Sequence, residues 1–86
     1  MINRDEITRI VIHRLAAEIG IKEEGINEST GLLSELKLDS MAIISLAMIL
    51  EDEFSNEELI LDDEKLLKLN VVGDVVDLIM SATRSD

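Results

Sequence analysis

Apolar residues recur along this chain at helical intervals, and the polar residues between them mark where each run starts and stops. Ile7, Ile10, Val11, Leu15 and Ile19 form one stripe at the spacing of an amphipathic helix. Asn3 precedes it as a side-chain cap, with Glu6 three residues on as in a capping box and acids in the first turn. Gly20 is placed to end it, because glycine readily takes the left-handed conformation that closes a helix. Residues 21–39 keep no sustained period, yet Ile26, Leu32, Leu33, Leu36 and Leu38 give this long loop apolar anchors over the core. A second helix is predicted from near Ser40 to about Glu53, with Met41, Ile44, Ala47, Met48 and Leu50 facing inward. Residues 55–61 read as a connection. Asp62–Leu69 has room for about two turns, with acids first and Lys65 and Lys68 later, the order that the helix dipole favours. The last helix starts near Asn70–Val72 and carries the stripe Val72, Val75, Val76 and Ile79.

Three longer helices and one short one predict an all-α, four-helix bundle with a long loop between the first two. Composition agrees. The 86 residues suit a single domain, 1–86, and the 47% apolar content, thirty residues of it Ile, Leu or Val, is enough for a core. With one aromatic residue, Phe54, and no proline, the composition lacks what a β-sandwich or barrel normally shows and favours an all-helical domain.

Charge narrows the partners. The net charge is −11, and it is uneven: residues 1–22 sum to +1, whereas Glu51–Glu64 holds eight acids and no base. Nucleic acid and anionic membrane surfaces need Lys and Arg, so neither is an expected partner. The acids of 51–64 are expected to repel one another, or to be compensated by Arg4, Arg9 or Arg14 across the bundle. The longest apolar run, Met41–Leu50, is too short to span a bilayer, and Arg4, Asp5 and Glu6 stand where a signal peptide needs apolar residues. A soluble, cytoplasmic monomer is the expectation.

Candidate chemistry is sparse. Without cysteine there is no thiolate nucleophile, disulfide or cysteine zinc site. The one histidine, His13, sits alone in the first helix, and no phosphate loop, HExxH or EF-hand spacing occurs. The acids near 52–63 read as a solvated edge, so no metal and no enzymatic activity are expected. The most specific segment is Leu36-Lys37-Leu38-Asp39-Ser40-Met41, followed at once by the apolar helix. Asp39 or Ser40 there is an ordinary helix cap. A serine hydroxyl at a helix N-terminus is also where a phosphodiester would be stabilised, by the dipole and by unpaired N–H groups.

Taken together, Leu36, Leu38-Asp39-Ser40-Met41, the apolar helix ending in Glu51-Asp52-Glu53-Phe54, and Val72-Gly73-Asp74-Val75-Val76-Asp77-Leu78-Ile79 resemble the acyl carrier protein family over almost the whole chain. The resemblance implies that a phosphopantetheinyl transferase moves 4′-phosphopantetheine from coenzyme A onto Ser40. The thiol of that arm then holds acyl groups as thioesters for acyl-loading and acyl-processing enzymes of fatty acid or specialised lipid or polyketide-type biosynthesis. It also implies partner contacts at Asp39 and Met41, and along the helix at Ala42, Ser45 and Met48. An aminoacyl or peptidyl carrier, including the D-alanyl type with its similar Asp-Ser-Met triplets, is the nearest alternative. A non-enzymatic acidic interaction module is the alternative from another class.

Departures from the family pattern refine this. Lys37 stands where glycine is common, so the turn before Ser40 either needs no positive φ or tolerates strain. Val71 falls where Ser or Thr usually caps the last helix, which shifts the expected cap to Asn70. At Ala42 and Ser45 general fatty acid carriers are typically acidic, and here both are neutral. Ala42, Ile43 and Ser45 therefore predict an apolar docking patch for a dedicated partner, unless Ile43 tucks into the core.

Overall fold

The computed structural model describes residues 3–54 and 59–83. Its first helix, α1, runs Arg4–Ile19. The Asn3 side chain accepts the Glu6 N–H at 2.9 Å, and Gly20 closes the helix at φ 72, donating its N–H to Ala16. Both ends are where the pattern of polar residues puts them. Ile7, Val11, Leu15 and Ala16 are buried along one face, on the i, i+4, i+8 repeat.

The loop that follows holds one short 3₁₀ turn, Glu23–Gly25, which no periodicity in the sequence announces. Of the loop's expected anchors, Ile26, Leu32 and Leu38 are buried and Leu36 is half-buried, but Leu33 points outward, 65% exposed. Thr30 is buried too. Its hydroxyl accepts the Asn27 N–H at 2.9 Å, so its one polar group is satisfied.

Helix α2 spans Ser40–Glu53, with the predicted boundaries. Its inward face is rotated from the expected one. Ile43, Leu46, Ala47 and Leu50 are buried, whereas Met41 and Met48, expected inside, are 72% and 66% exposed. The run is apolar at nearly every position, so its apolar residues leave the phase open, and packing against α1 decides it. Phe54, at the C-terminal end of α2, is buried in the centre as the core's ring.

Helix α3 is shorter than expected: Asp63–Leu66, one turn, capped by the Asp62 carboxylate accepting the Glu64 N–H. It stops because Lys68 and Leu69 reach back only three residues, to Lys65 and Leu66, in 3₁₀ fashion. Helix α4, Val72–Thr83, buries Val72, Val75, Val76 and Ile79 as the stripe predicts. At its start the Asp74 carboxylate accepts N–H groups from Asn70 and Val71 at 3.0 and 3.1 Å.

These four α-helices, among the described residues, form an all-α bundle in which α1 packs chiefly on α4 and then on α2. Fully burying each aliphatic core side chain contributes about 1.5–3 kcal/mol. Two polar links tie the loop to the bundle. Arg4 bonds Glu28 at 2.5 Å and Asp77 at 2.6 Å, joining α1, loop and α4. Hydrogen bonding to Glu28, and then to Asp77, raises the Arg4 guanidinium above its ordinary value. The second link is main-chain: Leu32 N–H to Asn70, Val72 N–H to Thr30, and Gly73 N–H to Glu28, around an isolated bridge between Gly31 and Val71.

The acidic stretch is partly compensated. Arg14 Nε lies 3.6 Å from Glu53, and the Glu51 carboxylate accepts the Leu61 N–H at 2.8 Å. Residues 55–58 of the expected connection, with Glu57 and Glu58, lie outside the described residues.

Candidate functional site

The segment leading into α2 is built from a tight turn. Glu35 and Leu36 donate N–H groups to the Gly31 carbonyl, and Lys37 donates to Leu33 at 3.2 Å. Ser34 packs its hydroxyl directly over Gly31, so a methyl group there would force that hydroxyl to another rotamer. Lys37 closes the turn at φ 59, in the left-handed region, making the five-to-one bond that usually accompanies a glycine there. Of the two sequence readings of Lys37, tolerated strain is the one found. A non-glycine residue in this conformation costs roughly 1–2 kcal/mol. The Lys37 ammonium donates to the Ser34 carbonyl at 3.2 Å.

After that turn Leu38 is buried as an anchor, and the chain emerges at Asp39 in extended conformation. The Asp39 carboxylate accepts the Ala42 N–H at 2.9 Å, so Asp39 is the cap. Ser40 is thereby the first helical residue, exposed, with its hydroxyl outside the cap's hydrogen bond. The N–H groups of Ser40 and Met41 belong to the first turn, where a helix supplies no acceptor.

Ser40 borders a groove of about 680 Å³. Its walls are the loop, through Leu33 and Leu38, the start of α2, through Ile43, and the α3–α4 connection, through Leu67 and Leu69. Ser34, Glu35, Asp39 and Asn70 add polar groups at its rim. A larger hollow, about 850 Å³ between α1 and the 3₁₀ turn, shares no residue with it. On the other side of α2 a cleft of about 220 Å³ lies against α1 and is lined by Ala42 and Ser45.

The sequence-predicted contact residues divide accordingly. Met41, Ser45 and Met48 are exposed at i, i+4 and i+7, one outward stripe. Ala42 is half-buried and turned toward α1. Ile43 does not join an exposed patch: at 8% exposure it is part of the core and of the groove wall. Sequence reasoning missed Leu67, Leu69 and Asn70, which the fold brings to Ser40 from some thirty residues away. His13 is solvent-exposed, with Nδ1 2.8 Å from Glu23. Among the described residues no group of three or more His, Cys, Asp or Glu is arranged to hold a metal ion, and no helix is long and apolar enough to cross a membrane.

A family model described as the phosphopantetheine attachment site matches residues 9–79, from the middle of α1 to within α4. This chain belongs to the phosphopantetheine-attachment family. The resemblance to acyl carrier proteins is thus upheld at the level of carrier proteins. Members of the family carry 4′-phosphopantetheine, are not themselves catalytic, and meet phosphopantetheinyl transferases and biosynthetic enzymes.

Proposed function

We propose that Ser40 carries the 4′-phosphopantetheine group, and that residues 1–86 form one carrier domain presenting acyl thioesters to a dedicated set of partner enzymes. The observation that carries this reading is the position of Ser40: the exposed first residue of α2, with the cap taken by Asp39, on the edge of a largely apolar groove. The residues present fit the group. An exposed hydroxyl is open to a transferase, and the first-turn N–H groups of Ser40 and Met41 favour a phosphodiester there. When bound, the arm supplies the thiol that this cysteine-free chain lacks.

In attachment, Ser40 Oγ forms the new bond to phosphorus as the pyrophosphate bond of coenzyme A breaks. Adenosine 3′,5′-bisphosphate leaves, and the hydroxyl proton passes to the transferase. Asp39 caps the start of α2, which holds the Ser40 backbone at the helix N-terminus. Leu33, Leu38, Ile43, Leu67 and Leu69 offer a hydrocarbon surface that shields an acyl group from water, which supports an acyl cargo.

Met41, Ser45 and Met48 supply a neutral, largely apolar contact stripe for partners, with Asp39 at its head and Ala42 beside it. Charge on α2 returns only at Glu51, some three turns from Ser40. A partner that finds its carrier through opposite charge gains little here, which supports a specialised pathway over general fatty acid synthesis.

The test is incubation with coenzyme A, magnesium and a broad-specificity phosphopantetheinyl transferase, followed by intact mass. One phosphopantetheine is expected on wild type and none on Ser40→Ala. No addition to folded wild type would overturn the reading, and addition at Ser34 or Ser45 would overturn the site.

A further inference from the structure

We infer that Lys37 is a positioning residue for the phosphodiester on Ser40, its ammonium offsetting the acids that crowd that end of α2. The inference rests on the assignment of Ser40 as the attachment site.

Three observations lead to it. First, Lys37 is the sole base between Lys22 and Lys65, a span containing thirteen acids. Second, it occupies a left-handed position, φ 59, that a glycine would fill without strain. A residue that breaks a local rule of this kind marks a place where something other than stability selects it. Third, although Lys37 is exposed, its ammonium bonds the carbonyl of Ser34, a residue lining the same groove as Asp39 and Ser40.

The electrostatics supply the reason. Asp39 and Glu35 both line that groove, and both carboxylates are committed to main-chain N–H groups, Asp39 to Ala42 and Glu35 to Gly31 at 2.7 Å. A phosphodiester on Ser40 adds a further negative charge beside these two. The dipole of α2 favours it, but Asp39 already takes one of the first-turn donors. Lys37 stands three residues from Ser40, a main-chain distance of at most about 10 Å, which the flexible lysine stem and a phosphate on Ser40, reaching toward each other, bridge together. Moving the ammonium from the Ser34 carbonyl to the phosphodiester exchanges a neutral acceptor for a charged one, the stronger hydrogen bond.

Lys68 is the nearest competitor. It stands between Leu67 and Leu69 on the opposite wall; neither lysine lines the groove itself, and Lys37 differs in standing three residues from Ser40 and in bonding the carbonyl of a groove residue, Ser34.

The experiment compares apo and holo forms of wild type, Lys37→Arg, Lys37→Gln and Lys68→Gln. Each holo form is verified by intact mass before two readouts are taken: the melting temperature at low and high salt, and the ³¹P chemical shift of the phosphodiester. At low salt, loading should raise the melting temperature of wild type by roughly 2–4 °C more than that of Lys37→Gln. Lys37→Arg should retain the increment, and salt should erase it. The ³¹P resonance should move in Lys37→Gln and stay in place in Lys68→Gln. Equal increments and an unmoved resonance across the Lys37 variants would overturn the inference, as would an equal loss in Lys68→Gln, which would signal a general field instead of a specific pairing. Absence of any adduct on wild type is a different result, and it removes the Ser40 assignment together with this one.

Discussion

Replacing Asp39 by alanine removes the carboxylate that accepts the Ala42 N–H at 2.9 Å and leaves one more first-turn donor without a partner. Losing such a cap costs about 1 kcal/mol, within a range of roughly 0.5–2. For a chain of 86 residues the unfolding entropy at the melting midpoint is about 0.18 kcal/mol per kelvin, so the apo protein should melt about 5–6 °C lower. Asparagine separates the two contributions of Asp39. It keeps the acceptor and removes the charge, forfeiting only the interaction with the helix dipole, about 0.3–1 kcal/mol at low salt. The expected order of melting temperatures, followed by far-UV circular dichroism, is wild type, Asp39→Asn, Asp39→Ala. In about 1 M salt, where the Debye length falls to about 3 Å, the asparagine variant should approach wild type while the alanine variant stays behind. An alanine variant melting within about 1 °C of wild type would refute the capping role. Asparagine and alanine variants that coincide at high salt would refute the assignment of the effect to a hydrogen bond.

Three further outcomes follow from the structure. Leu50→Ala, at a fully buried position, should cost about 2–5 kcal/mol in urea unfolding, whereas Met48→Ala, on the exposed stripe, should stay within about 0.5 kcal/mol; the reverse order would contradict the observed rotation of α2. Arg4→Ala should lower the melting temperature at low salt, and the gap to wild type should narrow with added salt, because both ion pairs are substantially exposed; a gap indifferent to salt would place its cause in packing. General fatty acid synthesis enzymes should process wild type poorly and the double variant Ala42→Asp, Ser45→Glu better, with a gain that shrinks as salt rises. Efficient processing of wild type in a steady-state assay would end the argument for specialisation and leave the Ser40 assignment standing.

The parts of this fold that were legible in the sequence are those where local chemistry and tertiary packing agree. Asn3, Gly20 and Asp39 mark helix ends through bonds made within a few residues, and each lies where its side chain or backbone is needed. The phase of α2 was not legible from its apolar residues, because they occur all around the helix. Its polar residues do carry the information: Ser45 and Asp52, seven apart, define the outward face that also holds Met41 and Met48. At the site, the run Asp39-Ser40-Met41 was evident because it is contiguous. The groove beside it was not, since Leu67, Leu69 and Asn70 reach it only once α4 has docked. The strain at Lys37 was one of two open readings, because φ depends on how the preceding turn closes on Gly31.

The bridge between Gly31 and Val71 has a consequence for how this molecule varies. The amides of Leu32, Val72 and Gly73 stitch the loop to the entrance of α4 through main-chain bonds, and these bonds ask nothing of the exposed side chains beside them. The lip of the groove is therefore free to change its chemistry, at Leu33, Ser34 or Asn70, without loosening the edge on which those residues are mounted. At this edge the chemistry of the lip and the attachment of the loop are drafted in separate materials, one in exposed side chains and the other in backbone. Proline, which lacks the amide, is refused at all three stitched positions, and Leu32 and Val72, both buried, must in addition stay apolar.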